Sequence, residues 1–337
     1  MTSEILGRVA GGEDLAMEEM ATAINEIMQG NWQDEQIALL LTALHQKGET
    51  VDEVAGAAEA LRRNMTPLRS KHSLLLDTCG TGGDASGTFN ISTAAAIVTA
   101  AAGVPVAKHG NRSMTSKTGS ADVLAELGVN IEASVEQAER CLDESGICFC
   151  FAPLMHQSMR HVGAVRRQLG IRTIFNLLGP LCNPANAGYQ LLGVGRPELR
   201  PLLAHALRRL GTTRSIVVCG EDGLDEVTLS GTTHCSEIRG DEANEFSWTP
   251  EQFGLATEVD KSSMLVESPP ESAEVIRAIL NGSRGPSRDI VILNAAAALW
   301  TAEVDSDLEV CTQKVAAAID DGAAMETLQQ LAKLSHA

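Results

Sequence analysis

The first 70 residues carry apolar side chains at the spacing of helices and none at the alternating spacing of strands. Met17, Met20 and Ile24 fall on one face of a first predicted helix, and a second predicted helix repeats this spacing. Thr50 begins a capping box, which predicts the start of a third helix. The pattern therefore predicts a small all-helical domain over residues 1–70.

After this domain, short apolar segments alternate with segments of helical spacing. Such alternation is typical of a mainly parallel sheet with helices on both faces. We expect an α/β domain over residues 71–337, and part of 155–185 is expected to join the helical domain. Residues 241–267 lack a clear pattern and are predicted to form a surface excursion. The predicted strands are 74–76, 104–107, 146–151, 189–194, 215–219, 227–229 and 234–238.

A glycine-rich loop follows the first predicted strand. Gly80, Gly82 and Gly83 have no Cβ atoms to shield the backbone N–H groups, and a helix is predicted to begin at Asn90. A strand, a glycine loop and a helix N-terminus in this order form a pocket of N–H donors with the positive end of a helix dipole behind it. The loop is therefore a candidate phosphate site.

The distribution of charge supports an anion site in the same stretch. The chain has a formal net charge of −18, but no acidic residue occurs between Asp84 and Asp122. Lys108, Arg112 and Lys117 all fall within this stretch. We interpret it as a phosphate site, although a lone glycine-rich turn is more often only a turn. The acidic balance of the whole chain argues against nucleic acid or an anionic membrane as a partner.

Two other phosphate-binding motifs fit the loop less well. A dinucleotide-binding fingerprint has a glycine at the position of Ala85 and an acidic residue at the end of the next strand, where this chain has Lys108. A nucleotide-hydrolase loop requires Gly-Lys followed by Ser or Thr after the glycines, which this sequence lacks. The residues alone therefore favour a phosphate site of another kind.

The eight cysteines and the N-terminal residues indicate the cellular compartment in which the protein is expected to work. No cysteines have zinc-ligand spacing, so most are expected to be small buried side chains in a reducing cytosol. Cys79, beside the glycines, is either a catalytic thiol or a packing residue, and we favour packing. The N-terminal residues lack the basic and apolar regions of a secretory signal, and the longest apolar run, 94–107, is too short to span a bilayer. These features favour a cytoplasmic location without a membrane partner.

Several longer motifs resemble those of one family. The segments Gly80-Thr-Gly-Gly-Asp84, Thr88-Phe-Asn-Ile-Ser-Thr93 and Lys108-His-Gly-Asn-Arg112 are similar to the signature of the anthranilate phosphoribosyltransferases. The resemblance covers essentially the whole chain and implies a fold of the nucleoside phosphorylase/phosphoribosyltransferase type. It continues through 166–180, Asn183-Pro184 and Gly223-Leu-Asp-Glu226.

The resemblance also implies a reaction and its substrates. The family transfers the phosphoribosyl group from phosphoribosyl pyrophosphate (PRPP) to the amine of anthranilate in tryptophan biosynthesis, with two Mg²⁺ ions. Its members form homodimers through the helical domain, which we also expect here. No side chain is assigned as a certain catalytic residue, because positioning and electrostatic stabilisation dominate such a transfer.

The same resemblance assigns the site residues. Anthranilate is expected to contact Gly80, Asn111 and Arg166, and the magnesium ions are expected to bind Ser92, Asp225 and Glu226. The residues expected to bind PRPP are Gly80, Gly83, Asp84, Thr88, Asn90, Ile91, Ser92, Thr93, Lys108, His109, Gly110, Asn111, Arg112, Ser113, Met114, Thr115, Ser116 and Ser120.

Several of these assignments have a plainer structural alternative. An adjacent acidic pair such as Asp225 and Glu226 is more often a solvated turn. Without its flanking motif, Arg166 would be interpreted as an exposed side chain on the helix predicted over 155–169. His109 and His156 are either a general base or hydrogen-bonded walls of the pocket, and we favour the walls.

Two positions depart from the family pattern. Gln157 and Ser158 stand where proline and alanine are expected, and Cys219 stands where histidine is usual. The first departure borders the expected entrance for the aromatic acid and bears on the identity of the acceptor. The alternative functions are a pyrimidine nucleoside phosphorylase-like enzyme, which would use free phosphate without a magnesium pair, and a non-catalytic paralogue that binds nucleotides or nucleic acid.

Overall fold

Four helices form the first part of the chain in the computed structural model, which describes residues 2–82, 86–112 and 118–337. The predicted capping box is present: Thr50 Oγ1 accepts the N–H of Glu53 at 3.3 Å, and Glu53 Oε2 accepts the N–H of Thr50 at 2.9 Å. A short helix precedes those predicted and buries Ile5 and Val9. The four helices are α1 (Thr2–Ala10), α2 (Met17–Met28), α3 (Asp34–Lys47) and α4 (Val51–Arg63).

A seven-stranded sheet forms the centre of the larger part. Its strands are β1 (Leu76–Gly80), β2 (Val106–Gly110), β3 (Ile147–Phe151), β4 (Tyr189–Gly193), β5 (Arg214–Gly220), β6 (Thr233–Arg239) and β7 (Glu242–Trp248). Their order is β3-β2-β1-β4-β5-β6-β7. The first five strands pair in parallel, and β6 and β7 are antiparallel. The predicted fold class, a helical domain followed by an α/β domain with a mainly parallel sheet, is confirmed.

The other helices pack on the sheet or join the first four. No helix in the part of the chain that the structure describes is long and apolar enough to cross a membrane. These helices are α5 (Ile91–Ala101), α6 (Ser120–Glu126), α7 (Val135–Ser145), α8 (Ala152–Met155), α9 (Arg160–Leu169), α10 (Phe175–Leu178), α11 (Leu199–Arg209), α12 (Pro269–Leu280), α13 (Pro286–Thr301), α14 (Leu308–Asp320) and α15 (Ala323–Ser335).

The structure corrects three predicted elements. Residues 227–229 form no strand, because the backbone of Val227 bonds to the side chain of Asn294 and the N–H of Thr228 bonds to the hydroxyl of Thr233. Residues 241–267 contribute the edge strand β7, whose mostly exposed side chains leave no apolar pattern in the sequence. The helix predicted over 155–169 is interrupted by a 3₁₀ turn at Gln157–Met159.

Two predicted strands also shift along the chain. β1 starts at the last residue of the strand predicted over 74–76 and continues to Gly80, because its backbone pairs with β4 up to Gly193. β2 likewise runs beyond the strand predicted over 104–107 and ends at Gly110. β1 therefore reaches the first glycine of the predicted loop, and β2 includes the first three residues of the 108–112 motif.

Two groups of buried apolar side chains lie on opposite faces of the sheet. Leu191 and Ile216 belong to one group, and their neighbours Leu192 and Val217 belong to the other, as the alternation of a strand requires. The second group also contains side chains of α1 to α4, α9 and α10. Helices α9 and α10, which lie within residues 155–185, thus pack with the N-terminal helices. The domain boundary at residue 70 stays a prediction.

A buried asparagine fixes the loop between β5 and β6. Asn294 lies in α13, where its Nδ2 donates to the carbonyl of Val227 at 2.9 Å and its Oδ1 accepts the N–H of Val227 at 2.8 Å. Within the loop, Asp222 accepts the N–H of Leu224 at 3.2 Å and the hydroxyl of Thr228 at 2.9 Å. The loop therefore has a fixed conformation without strand pairing.

Replacing Asn294 with alanine is expected to lower the free energy of unfolding by roughly 2–4 kcal/mol, because the buried backbone groups of Val227 lose their partner. Urea unfolding followed by circular dichroism measures this loss. Thr99→Val is the control: the Thr99 hydroxyl is buried with no hydrogen-bond partner in the described residues, so its removal should leave stability unchanged or raise it. Equal stability of the two variants would contradict the role of Asn294.

Candidate functional site

A cleft of about 1250 Å³ lies between the sheet and the helices that pack with the N-terminal part. One wall consists of the carboxyl ends of β1 and β2 and the loops that follow them. Ligands of open parallel sheets bind at this edge. The other wall includes side chains of α9 and His45 near the end of α3. The cleft is therefore built from both parts of the chain.

The cleft collects most of the residues expected from the sequence. Thr93 is an exception, because its side chain is fully buried and does not line the cleft. Gly83, Asp84 and residues 113–116, for which contacts with PRPP are expected, lie outside the described residues. The expected residues that line the cleft are Gly80, Thr88, Asn90, Ile91, Ser92, Lys108, His109, Gly110, Asn111, Arg112, Ser120, Arg166, Asp225 and Glu226.

The acidic pair reaches the glycine loop through a close backbone approach. Gly80 and Gly193 pair at the ends of β1 and β4, and a Cβ atom on Gly193 would overlap the backbone carbonyl of Asp225. A Cβ atom on Gly80 would lie 2.7 Å from Asp225 Oδ2, and this same oxygen accepts the N–H of Gly82 at 3.1 Å. Because glycine leaves this space open, a distant carboxylate lies against the candidate phosphate loop.

The start of α5 is fixed by its N-cap residue, Asn90. Asn90 Oδ1 accepts the N–H of Thr93 at 3.0 Å, and Asn90 Nδ2 donates to the carbonyl of Thr118 at 3.1 Å. Its backbone N–H donates to Ser272 Oγ at 2.9 Å. The cap places Ser92, in the first turn of the helix, in the cleft lining, where the helix dipole favours negative charge.

Lys108 brings a buried positive charge to the cleft. Its Nζ donates to the carbonyl of Thr78 at 2.7 Å and to Ser92 Oγ at 3.3 Å. Burial lowers the pKa of Lys108, and the nearby carboxylate of Asp77 opposes this shift. Burial raises the pKa of Asp77, whose Oδ1 accepts the N–H of His109 at 3.3 Å. Asp77 and Lys108 therefore stabilise each other's charged form below the candidate phosphate site.

His109 and His156 form a buried pair. Their Nε2 atoms lie 3.2 Å apart, and His109 Nδ1 lies 3.1 Å from the carbonyl of Gly179. Burial lowers the pKa of His109 to about 3 and the pKa of His156 to about 4, so both rings are neutral near pH 7. When His109 Nδ1 donates to Gly179, its Nε2 must accept from His156. This arrangement supports pocket walls over a general base.

Arg166 lies in α9 on the opposite wall, half-buried. Its guanidinium carbon lies 5.5 Å from the centre of the Phe175 ring. Burial lowers the pKa of Arg166, and no ion pair joins it to a carboxylate of the described residues. Arg112 differs, because its Nη1 forms an ion pair with Asp122 Oδ1 at 3.0 Å. Arg166 is therefore not an open surface arginine, and its charge is available to a ligand.

The cleft also contains residues that the sequence did not predict. Arg172 and Asn176 line it, and both fall within the 166–180 motif, which could have drawn attention to them. His45 and Glu49 also line it, but they come from the N-terminal part, whose pattern indicated packing alone. No local signal could have identified these two residues.

The departures from the family pattern lie outside the cleft. Gln157 and Ser158 are in the 3₁₀ turn before α9, and neither is among the described lining residues. Cys219 is buried in β5. Cys79 does line the cleft, but burial raises the pKa of its thiol, which supports packing over nucleophilic catalysis.

The oxygen donors expected to hold magnesium share the cleft. Ser92, Asp225 and Glu226 offer a hydroxyl and two carboxylates, and Mg²⁺ prefers oxygen donors and keeps several waters. Among residues 2–82, 86–112 and 118–337, no group of three His, Cys, Asp or Glu side chains could hold a metal ion. A small set of oxygen donors such as this one fits magnesium, which would complete its shell with water.

Family models match both parts of the chain. Residues 3–65 match the helical bundle domain of a glycosyl transferase family. Residues 72–325 match the a/b domain of a glycosyl transferase family. The two matches follow the order of the helical and sheet-containing parts of the structure.

Named relatives agree with these matches. An anthranilate phosphoribosyltransferase from Rhodopirellula baltica is 50% identical over 331 residues, which cover 98% of this chain and 96% of the relative. The crystal structure of the enzyme of that name from Thermus thermophilus has a TM-score of 0.92 at 40% identity and covers 99% of both chains. The Saccharomyces cerevisiae enzyme, in complex with PRPP and Mg, has a TM-score of 0.90 at 26% identity, covering 99% of this chain and 98% of the other. The chain therefore belongs to the anthranilate phosphoribosyltransferase family.

Proposed function

We propose that the chain transfers the phosphoribosyl group of PRPP to the amine of anthranilate, giving N-(5-phosphoribosyl)anthranilate and pyrophosphate, a step of tryptophan biosynthesis. The cleft carries this proposal, because it gathers the glycine loop, Lys108, the acidic pair and Arg166 around one space. A polyanionic donor fits the wall with the glycine loop, and a monoanionic acceptor fits the wall with Arg166.

PRPP binds along the carboxyl edge of the sheet. Backbone N–H groups in the first turn of α5 donate to phosphate oxygens, whereas those of Thr81 and Gly82 already bind Gly193 and Asp225. Lys108 adds a positive charge that is already desolvated, so little water must be removed when the phosphates arrive. The proposed set also includes Gly83, Asp84 and residues 113–116.

Ser92, Asp225 and Glu226 would hold magnesium, for which we propose two ions. When bound, magnesium neutralises the charge that develops on the pyrophosphate leaving group. The N–H of Gly82 binds Asp225 Oδ2 and so orients this carboxylate before a ligand arrives.

The acceptor is positioned by its carboxylate. Arg166 offers a fork of two N–H groups to a carboxylate, and Asn111 and Gly80 contact the same ligand. The amine then faces an anomeric carbon whose transition state is cation-like, as in glycoside cleavage. An aryl amine is nucleophilic in its neutral form, so no strong general base is needed, and the paired His109 does not have to supply one.

Two further properties stay predictions. The chain is expected to form a homodimer through its helical domain, where Leu39 in α3 is 47% exposed and offers an apolar contact. It is also expected to work in the cytoplasm.

The reaction itself is tested by the loss of anthranilate fluorescence on addition of PRPP and magnesium. The double variant Asp225→Asn with Glu226→Gln is expected to lose magnesium-dependent turnover by at least about a hundredfold, because the metal loses both carboxylates. Glu221→Gln is the control, since Glu221 is an exposed acid of the same loop that does not line the cleft. Turnover in the double variant at the level of this control, at any magnesium concentration, would refute the metal assignment.

Arg166→Ala is expected to weaken anthranilate binding by about tenfold or more, because a charge-assisted contact contributes about 1.5–3 kcal/mol. Binding of PRPP should change much less, since its phosphates lie on the glycine loop. Isothermal titration of each substrate measures both effects, and Arg160→Ala is the control at an exposed position of the same helix. Loss of PRPP binding with intact anthranilate binding would place Arg166 in the phosphate site instead.

The buried histidines predict how stability depends on pH. Both pKa values are lowered by burial, to about 3 and about 4, whereas an unfolded histidine titrates near 6.5. Below pH 6.5 the unfolded chain therefore takes up protons that the folded pair refuses, and stability falls as pH falls.

Between pH 7 and pH 5, each histidine of the pair should lower the free energy of unfolding by roughly 1–2 kcal/mol. Urea unfolding at both pH values should show a smaller loss in His109→Gln with His156→Gln than in the unmodified chain. His234→Gln, at an exposed position of β6, should retain the full loss. An unchanged loss in the double variant would contradict neutral, buried histidines.

A further inference from the structure

A second cavity, of about 350 Å³, lies at the amino-terminal edge of the sheet, opposite the substrate cleft. It is enclosed by the end of α4 and by the segments that precede β1, β4 and β5. Its volume lies at the lower end of the range for small-molecule sites. By the volume of liquid water, it has space for about ten water molecules or a ligand of similar size.

The cavity is separate from the substrate cleft. No residue in the described ranges lines both spaces. Gln190 lies between them: it lines the small cavity, and its Nε2 lies 3.3 Å from the sulfur of Cys79, which lines the cleft. Occupancy of one space can therefore be measured while the other is filled.

The chemistry of the small cavity is cationic and polar. The chain contains 44 acidic residues, yet none of the described residues that line this cavity is an aspartate or a glutamate. A space without carboxylates in so acidic a chain favours an anionic ligand. The polar and basic lining residues are Arg62, Ser70, His72, Ser73, Asn183, Asn186, Gln190, Thr212 and Thr213.

Arg62 is the centre of this lining. Its Nε donates to the carbonyl of Leu181 at 2.7 Å, which fixes the guanidinium in the cavity wall. Within the described residues, neither Nη nitrogen donates a hydrogen bond and no carboxylate forms an ion pair with the side chain. Burial lowers the pKa of Arg62, as expected for a charge that has lost water without gaining a partner. The terminal edge of the guanidinium is thus available to a ligand.

Other buried arginines of the described chain have acidic partners. Arg214 pairs with Glu237 at 2.7 Å, and Arg288 pairs with Asp320 at 2.7 Å. Burial lowers the pKa of one other described arginine, Arg166, which also lacks such a partner and faces the substrate cleft. Arg62 therefore shares two features with the residue proposed to bind a substrate carboxylate: partial burial and the lack of a described acidic partner.

We propose that this second cavity binds a small oxyanion, either a carboxylate or a phosphate monoester, through the two Nη groups of Arg62. The planar fork of a guanidinium suits both groups, because each presents two oxygens in one plane. Hydroxyls of the lining, such as that of Ser73, donate to the remaining oxygens, whereas the amides of Asn183 and Gln190 already donate to backbone carbonyls. The bound anion supplies a partner for the charge of Arg62, which no carboxylate of the described residues pairs with.

The test is isothermal titration with methyl phosphate and, in a second arm, with acetate. PRPP and magnesium are present at saturating concentration to fill the wall of the cleft with the glycine loop, and dependence on Arg62 separates the small cavity from the wall with Arg166. Arg62→Gln is expected to weaken binding of the preferred anion by at least about tenfold. Arg63→Gln is the matched control, because Arg63 is the next residue, is exposed and pairs with Glu59. The arm with the tighter, Arg62-dependent binding identifies the oxyanion class.

A second variant keeps the test decisive if Arg62→Gln does not fold. Ser73→Asp places a carboxylate at an exposed position of the cavity lining, where it should repel the anion and weaken binding to a similar degree. Binding that is lost in this variant, and retained in Arg63→Gln, supports the site. The proposal is overturned if the unmodified chain binds neither anion, or if binding is unchanged in Ser73→Asp and in any folded Arg62→Gln protein.

Discussion

The packing of the β5–β6 loop on the glycine ends of β1 and β4 is the contact on which the rest of the cleft depends. A side chain at Gly193 would collide with the backbone carbonyl of Asp225, so the loop reaches the sheet only because the strand ends in glycine. Asn294 holds the same loop through both backbone groups of Val227. A carboxylate from the later part of the chain consequently lies beside the glycine loop, where the proposed function would place magnesium.

A second feature of the structure is the burial of some lysine and arginine side chains. Many of its arginines and lysines pair with acids at the surface, where such pairs contribute little to stability. Lys108, Arg166 and Arg62 are instead withdrawn from water, and the two arginines have no carboxylate partner in the described chain. A strongly acidic chain repels anions over most of its surface, so these three cations mark candidate anion sites within the described residues.

The local patterns predicted the fold class, and their failures have identifiable causes. Helical spacing and the Thr50 capping box act within a few residues, and the structure reproduces them. The strand predicted at 227–229 failed because a short Val-Thr-Leu segment fits either a strand or a buried loop. β7 was not predicted, because its side chains are mostly exposed and therefore do not alternate between apolar and polar residues.

The sequence by itself determined the glycine loop, the capped start of α5, the basic stretch after it and the family, because each of these depends on short motifs whose chemistry is local. Only the tertiary structure decided that Asp225 meets Gly82, 143 residues away, and that His45 and Glu49 enter the cleft. It also decided which cations are buried without partners. The meeting of distant residues and the removal of charged side chains from water depend on the packing of the whole chain. No short segment of the sequence contains that information.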